Sequence, residues 1–198
     1  MKHGRLIAFL LLWLGAPAFA QTVAAPAPAT VRVVLHTGAG DIVVALETER
    51  APISARNFLR YVDQRRLDGA SFYRAMRVGP QDGLIQGGWR TNPRRMLPPV
   101  AHEPTSQTGL SHTDGAIAFA RNAPGSATSE FYIVAGTLTG LDASAADPGF
   151  AVFGRVVEGM DIVRRILTAP TSPTEGEGVM RGQLLTPAIR IITARRVR

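Results

Sequence analysis

The sequence predicts a mainly β fold with two α-helices. Segments 31–36 and 41–46 alternate apolar and polar side chains, which is the two-residue period of a half-buried strand. Between them, Thr37-Gly38-Ala39-Gly40 has the composition of a hairpin turn. Further short apolar runs, divided by Gly, Pro and Asn, are typical of antiparallel β-structure. The large side chains predicted to fill the core are Phe72, Phe119, Phe131, Phe153, Met76 and Met96.

Two helices are predicted among these strands. The first covers 53–65, because Pro52 suits a helix start and Leu67-Asp68-Gly69 ends the helical pattern. The apolar face of this helix comprises Ile53, Phe58, Tyr61 and Val62. The second helix covers 160–167, where an apolar stripe stops before Pro170.

Residues 1–20 have the layout of a secretory signal peptide. Lys2 and Arg5 give a positive start, 6–14 form an apolar run, and Ala18-Phe19-Ala20 has the small-residue pattern of a cleavage site. The apolar run is shorter than the roughly 20 residues that a membrane-spanning helix needs. We therefore expect a periplasmic or secreted protein, cleaved after Ala20, with no stable membrane insertion.

Composition limits the classes of function. Without residues 1–20 the chain has the size of one domain, and we expect an Ala/Pro-rich leader over 21–30 followed by a single domain over 31–198. No cysteine is present, which excludes disulfides and thiolate metal sites. The formal net charge is +7, but Lys2 is the only lysine and the arginines are scattered along the chain. Binding to nucleic acid is therefore not expected.

The most informative motif is an arginine in an aromatic and apolar frame, Phe72-Tyr73-Arg74-Ala75-Met76. Other segments complete a set in a defined order: 84–88, 118–122, 126–133, 152–156 and 159–161. In order and spacing this set resembles the cyclophilin family of peptidyl-prolyl cis/trans isomerases, from about Val31 to the C-terminus. The resemblance implies a closed eight-stranded antiparallel β-barrel, capped by an α-helix at each end.

The chemistry of such an isomerase suits an arginine. Rotation about an X-Pro amide bond crosses a resonance barrier of roughly 18 to 20 kcal/mol, and uncatalysed exchange takes tens to hundreds of seconds. In the twisted state the amide nitrogen becomes pyramidal and gains a lone pair that accepts a hydrogen bond. A guanidinium is always charged and presents its donors in a rigid planar fork. The reaction needs an apolar pocket for the proline ring, but no nucleophile, metal or cofactor.

The resemblance also assigns site residues. Arg74 falls at the catalytic arginine and Gln86 at the glutamine that positions it by hydrogen bonding. The substrate-binding residues it implies are Tyr73, Leu84, Ala120, Arg121, Glu130, Tyr132, Leu141 and Phe150. Among these, Ala120 and Arg121 form a backbone edge that grips the substrate peptide.

Several positions depart from the usual pattern of the family. Tyr73 and Phe150 each stand at a pocket position that commonly carries histidine. Gly83 stands where phenylalanine is common, and Gly140 where tryptophan is common. The segment 77–82 is several residues longer than usual and is expected to border the pocket. Glu130 replaces a glutamine, and we expect its carboxylate to contact Arg74 or Arg121, to restrain Arg74, and to make turnover pH-sensitive at the acid end.

Three other motifs carry less weight. Ser111-His112-Thr113-Asp114 holds the residue types of a hydrolase triad, but triads converge in space and not along four consecutive positions. His102-Glu103 together with His112 lacks the spacing of a zinc site. Gly38-Ala39-Gly40 lacks the third glycine of a dinucleotide-binding loop.

Two functions remain open at this point. The first is an exported isomerase that accelerates the folding of other proteins at X-Pro bonds. The alternative is a catalytically weak module on the same barrel that binds proline peptides or acts as a chaperone. The expected partners in both cases are proline-containing peptides and unfolded proteins, and the expected state is a monomer. The presence of both Arg74 and Gln86 favours the isomerase.

Overall fold

The computed structural model describes residues 28–197 of the chain. Its strands, in chain order, are β1 (Thr30–Thr37), β2 (Gly40–Glu47), β3 (Ser71–Arg77), β4 (Gly83–Gly88), β5 (Ala116–Phe119), β6 (Phe131–Ala135), β7 (Val152–Glu158), β8 (Thr171–Ser172) and β9 (Leu184–Arg196). Its α-helices are α1 (Pro52–Asp63), α2 (Thr105–Thr108) and α3 (Met160–Leu167).

The strands close into a barrel. The hydrogen-bonded order is β1-β2-β7-β5-β6-β4-β3-β9-β8, and β1 also pairs with β9. Eight strands therefore form a ring, and the two-residue β8 is attached to β9 outside it. Each of these pairings is antiparallel. The predicted eight-stranded antiparallel barrel is confirmed, and its closure removes the free edges of the ring strands.

The N-terminus of α1 is capped from a distant part of the chain. The residue before the helix, Ala51, has no side chain that can accept a hydrogen bond. Instead the buried carboxylate of Glu103 accepts from the backbone N–H groups of Ile53, at 3.0 Å, and Ser54, at 2.6 Å. Ile53 lies in this first turn with its side chain 42% exposed, so its predicted place on the buried face is wrong.

Helix α1 ends earlier than the sequence pattern predicts. Arg65 adopts a left-handed conformation with φ of +53°. This turn lets the N–H of Arg66 donate to the carbonyl of Tyr61 at 2.8 Å, which is the hydrogen bond of a Schellman motif. The helix therefore stops at Asp63, two residues before its predicted end at 65. Helix α3 has the predicted bounds, whereas the one-turn helix α2 was not predicted.

The two longer helices cover opposite ends of the barrel. Helix α1 follows the end of β2, where the N–H of Ala51 donates to the carbonyl of Glu47 at 2.8 Å. Helix α3 packs at the start of β2, where a Cβ added to Gly40 would lie 2.8 Å from Cδ1 of Ile162. Because these contacts lie at the two ends of one strand, each helix closes one mouth of the barrel.

Apolar side chains form two layers. The inner layer fills the barrel and contains the predicted Phe72, Phe119, Phe131 and Phe153, each no more than 1% exposed. The outer layer lies on the other face of the strands and comprises Leu84, Ala116, Ala118, Tyr132, Val134 and Val152. Met76 packs against this outer layer and is only half-buried, as is Met96, so the prediction that both lie in the core is wrong.

The predicted signal peptide, residues 1–20, and the leader up to residue 27 lie outside the described residues. Thr30, assigned to the leader, already belongs to β1. The N–H of Ala29 donates to the Glu49 carboxylate at 2.8 Å, and Thr48 donates to the Ala29 carbonyl at 3.0 Å. Within residues 28–197, no helix combines the length and the hydropathy needed to cross a bilayer.

Candidate active site

The register of four strands aligns one row of side chains on the outer face of the barrel. Arg74 on β3 lies opposite Gln86 on β4, and Gln86 lies opposite Tyr132 on β6. Tyr132 in turn lies opposite Ala118 on β5. Residues directly opposite each other in antiparallel strands project from the same face. The pairing therefore brings an arginine, a glutamine and a tyrosine side by side.

A pocket of about 340 Å³ opens over this row. Nine of the ten predicted site residues line it: Arg74, Leu84, Gln86, Ala120, Arg121, Glu130, Tyr132, Leu141 and Phe150. Five further residues that the sequence analysis did not assign to the site complete the lining: Met76, Asn122, Ser126, Thr128 and Met180. The volume falls in the range of small-molecule sites, which begins at about 300 Å³.

Tyr73, the tenth predicted residue, does not line the pocket. Phe72 pairs with Gly87 and Arg74 pairs with Gln86, so Tyr73 is an extra residue in a β-bulge. Its ring is buried behind the pocket wall, where its hydroxyl donates to Glu130 and accepts from Nε2 of Gln86 at 2.6 Å. Burial, reinforced by the hydrogen bond to Glu130, raises the pKa of the Tyr73 hydroxyl, which therefore keeps its proton.

Two carboxamide oxygens hold the guanidinium of Arg74. Its Nη1 donates to Oε1 of Gln86 at 2.8 Å, and its Nε donates to Oε1 of Gln183 at 2.8 Å. Burial lowers the pKa of Arg74 below its ordinary value, and the nearby Tyr73 and Glu130 act in the opposite direction. Arginine carries five N–H donors, so three remain after these two bonds. Gln183 was missed because it lies 109 residues from Arg74, in a segment without a recognisable motif.

Glu130 does not make the contact that the sequence predicts. Among residues 28–197 it forms no ion pair or hydrogen bond with Arg74 or Arg121, and its carboxylate accepts the Tyr73 hydroxyl instead. Its hydrogen-bonded connection to Arg74 is indirect: Nε2 of Gln86 donates to the Tyr73 hydroxyl, and Nη1 of Arg74 donates to Oε1 of Gln86. The effect of Glu130 on the acid limb of turnover stays a prediction.

Arg121 is folded over the rim of the pocket. Its guanidinium lies 4.8 Å from the centre of the Phe150 ring, a cation–π contact. Its Nε donates to the carbonyl of Gly149 at 3.0 Å, and Asp147 lies 3.6 Å from Nη2. Phe150 meets Tyr132 edge to face, with ring centres 5.8 Å apart. The side chain of Arg121 therefore supports the aromatic wall.

The backbone beside the pocket offers an edge for a peptide. The N–H of Ala120 donates to the carbonyl of Glu130 at 2.9 Å. No hydrogen bond within residues 28–197 uses the Ala120 carbonyl or the Arg121 N–H. An extended peptide satisfies such groups by pairing with them along the edge.

The Tyr132 hydroxyl is held by a buried histidine. It lies 2.8 Å from Nε2 of His112, whose Nδ1 lies 2.5 Å from Asp142. Ser111 also donates to Asp142, and the side chain of Leu141, next to Asp142, lines the pocket. Burial lowers the pKa of His112, and the attraction of Asp142 opposes this only in part. The neutral imidazole therefore donates through Nδ1 and accepts the Tyr132 hydroxyl at Nε2.

The two glycines that depart from the family pattern, Gly83 and Gly140, have different surroundings. A Cβ on Gly83 would lie 2.0 Å from the Met76 carbonyl, so the close strand pairing excludes a larger residue there. Gly140 is exposed and has open space around its Cα, so the rim is open where a tryptophan is common.

No residue of 77–82 lines the pocket, so the prediction that this turn borders it is wrong. Arg77 ties the turn to carbonyls at the end of α3.

The weaker motifs do not assemble into further sites. Asp114 pairs with Arg164 at 2.8 Å and not with His112. His102 lies 3.0 Å from the Pro148 carbonyl, while Glu103 caps α1. Among residues 28–197, no three metal-ligating side chains converge.

Comparison with known proteins gives a consistent result. The model of the family described as "Cyclophilin type peptidyl-prolyl cis-trans isomerase/CLD" matches residues 32–194. A peptidyl-prolyl cis-trans isomerase of Acinetobacter baylyi is 38% identical over 151 residues, which cover 76% of this chain and 79% of that protein. The peptidyl-prolyl cis-trans isomerase A of Dickeya dadantii is 34% identical over 169 residues, covering 83% of each protein.

Solved structures share the fold. A cyclophilin-type peptidyl-prolyl cis-trans isomerase of Cryptosporidium parvum aligns with a TM-score of 0.68 at 18% identity, over 86% of this chain and 99% of that chain. A second structure of that protein, determined in the presence of the dipeptide Ala-Pro, aligns with a TM-score of 0.67 at 17% identity. At these identities the likeness concerns the fold alone.

The buried His112 makes stability depend on pH. Its pKa is lowered in the folded chain, so the unfolded chain, with a histidine pKa near 6.5, binds more protons as the pH falls. We expect the free energy of unfolding in urea to fall between about pH 7.5 and about pH 5.5, with a slope of at most about 1.4 kcal/mol per pH unit from this one group. The variant His112→Gln is expected to lose this part of the slope. Equal slopes in the two proteins would contradict the assignment.

Proposed function

The chain belongs to the cyclophilin-type peptidyl-prolyl cis-trans isomerase family, and on that premise we propose that Arg74 is the group that accelerates rotation about X-Pro bonds. The observation that carries this proposal is the pair of hydrogen bonds from Arg74 to Gln86 and Gln183, which orient a charged donor at the edge of an apolar pocket.

The pocket supplies the apolar part of the mechanism. Its apolar and aromatic wall is formed by Met76, Leu84, Tyr132, Leu141 and Phe150. The ring of proline is apolar and fits this wall, while the chain on either side of it pairs with the Ala120 and Arg121 backbone. Holding the ring in this way leaves the amide bond before the proline beside Arg74.

Arg74 supplies the electrostatic part. As the bond twists, resonance is lost and the prolyl nitrogen gains a lone pair. Arg74 has N–H groups that do not bond to Gln86 or Gln183, and one of these donates to the lone pair. The planar amide offers no such lone pair, so the hydrogen bond stabilises the twisted state selectively. The guanidinium is half-buried, where a charged donor is more effective than in water.

The magnitude required is compatible with one donor and a shaped pocket. A ten-thousandfold acceleration needs about 5.5 kcal/mol. A preorganised donor supplies about 3 to 4 kcal/mol. The remainder comes from removing water around the bond and from holding the peptide in a twisted conformation.

The proposed substrates are proline-containing peptides and unfolded proteins, which the chain binds as a monomer. The related structure from Cryptosporidium parvum, determined in the presence of Ala-Pro, supports a proline peptide as the ligand. The two backbone groups beside the pocket support an extended chain over a compact folded partner.

We further propose that the isomerase acts outside the cytoplasm, on exported proteins that fold there. The support is the sequence of residues 1–20, with its positive start, apolar run and Ala18-Phe19-Ala20 site. Expression of the full chain in a bacterium, followed by fractionation and N-terminal mass determination, tests this proposal. We expect periplasmic or secreted protein that begins at Gln21. Full-length protein retained in the cytoplasm would contradict it.

The role of Arg74 is tested in a protease-coupled isomerisation assay on a short Ala-Pro-Phe peptide. We expect Arg74→Ala to lower kcat/KM by about 10² to 10³, because it removes the oriented donor. Arg74→Lys is expected to be nearly as inactive, since an ammonium lacks the planar fork.

The matched control is Arg164→Ala, which removes an ion-paired arginine of α3 outside the pocket and should keep full activity. Circular dichroism of every variant confirms that the barrel is intact. Full activity in Arg74→Ala would refute the proposed mechanism. Negligible turnover by the unmodified chain, with peptide binding retained, would favour the weak binding module.

A further inference from the structure

We infer that Gln183 is a second positioning residue of the isomerase site, acting on Arg74 from the side opposite Gln86. This inference rests on the proposed function, because it assigns Gln183 a role only through Arg74. It concerns a residue that the family motifs around Arg74 and Gln86 do not contain, in a segment that joins β8 to β9.

Two acceptors on different nitrogens restrain a guanidinium more completely than one. Gln86 accepts from Nη1, at the end of the fork, and Gln183 accepts from Nε, at its base, each at 2.8 Å. With Gln86 alone, the planar group could pivot about a single contact. With both glutamines as acceptors, the plane of the Arg74 guanidinium is fixed, and its remaining N–H donors point in one direction.

The backbone of Gln183 is tied down on both sides. Its carbonyl accepts from the N–H of Ala75, the neighbour of Arg74, at 2.9 Å. Its own N–H donates to the carbonyl of Met180 at 3.0 Å. The backbone that carries the Gln183 side chain is therefore fixed, which restricts where its Oε1 can lie.

An irregular pairing of β9 with β3 puts Gln183 in this place. Phe72 pairs with Ile189, and Arg74 pairs with Leu184. An advance of two residues along β3, from Phe72 to Arg74, thus corresponds to five residues along β9, and the residues of β9 between the two pairs bulge out of the ladder. With regular antiparallel pairing, Arg74 would lie opposite Pro187, and Gln183 would lie beyond its reach.

The same segment also shapes the pocket. Met180 lines the wall of the pocket, and its carbonyl is the acceptor for the Gln183 N–H. Gly176 packs closely below it, since an added Cβ would lie 2.4 Å from the Met180 carbonyl. One compact turn therefore supplies both a pocket wall and the second restraint on Arg74.

The neutral character of Gln183 matters for the chemistry. A carboxylate at this position would satisfy Nε but would also offset the charge that the twisted substrate requires. A carboxamide satisfies the donor and leaves the charge in place. Because the arginine acts on the twisted state, loss of Gln183 should slow turnover while ground-state peptide binding is retained.

The test uses Gln183→Met, which keeps the length of the side chain and removes its acceptor, and Gln183→Glu, which keeps an acceptor. The control is Gln107→Met, an exposed glutamine of α2. We expect Gln183→Met to lower kcat/KM about tenfold, with unchanged melting temperature and unchanged Kd for the peptide measured by NMR titration. Gln183→Glu should lie between the unmodified chain and Gln183→Met in activity, because it keeps the acceptor but offsets the charge of Arg74. The control should match the unmodified chain.

A double-mutant cycle separates positioning from a general structural effect. Adding Gln183→Met to Arg74→Ala should change the residual turnover, measured by exchange NMR at high enzyme concentration, by less than about twofold. An equal tenfold loss in both backgrounds would overturn the inference, as would full activity of Gln183→Met in the unmodified chain. If Arg74→Ala itself kept full activity, the proposed function would fail and the role of Gln183 with it. A loss in Arg74→Ala without one in Gln183→Met would overturn the inference alone.

Discussion

The site depends on a positive charge that is restrained without being neutralised. Arg74 is half-buried, and burial lowers its pKa, which means that the charged form is less well solvated there than in water. Its two partners, Gln86 and Gln183, are neutral and accept only one N–H each. The carboxylate of Glu130, which acts on the pKa of Arg74, accepts the hydroxyl of Tyr73 instead of pairing with the guanidinium. The guanidinium therefore keeps both its charge and its spare donors, and the proposed mechanism directs one of these donors at the substrate.

The barrel is the frame that makes this arrangement possible. Alternation along β6 sends Phe131 and Ile133 into the core and Tyr132 and Val134 to the outer layer. The register then places Tyr132 in the same row as Gln86. A slip of one residue would reverse the two faces and remove the pocket. The packed phenylalanines of the interior thus set the geometry of a site that lies outside the barrel.

Polar contacts behind the pocket hold its aromatic wall. Burying the Tyr132 hydroxyl without a partner would cost free energy, and it forms a hydrogen bond with the buried His112. His112 in turn forms a hydrogen bond with Asp142. Because Asp142 follows Leu141, this one network links the wall of the pocket to its rim. It explains how the polar end of Tyr132 is accommodated beside an otherwise apolar wall.

Sequence reasoning recovered the parts of the molecule that contiguous motifs carry. The segments around Arg74, Gln86 and Tyr132 each lie on one strand, so their resemblance to the cyclophilin family in order and spacing was enough to assign these residues to one site. Irregular backbone was not predictable in this way. The bulge that turns Tyr73 behind the wall and the shifted pairing that delivers Gln183 both depend on hydrogen bonds between distant strands.

In the proposed mechanism the guanidinium of Arg74 is oriented before substrate arrives. Hydrogen exchange of the Nε–H groups, measured by NMR of nitrogen-15-labelled arginine side chains in the free protein, tests this orientation. We expect a protected Nε–H for Arg74 and rapid exchange at the exposed Arg155. Exchange at Arg74 as fast as at Arg155 would show a freely moving side chain and would refute the preorganisation of the guanidinium.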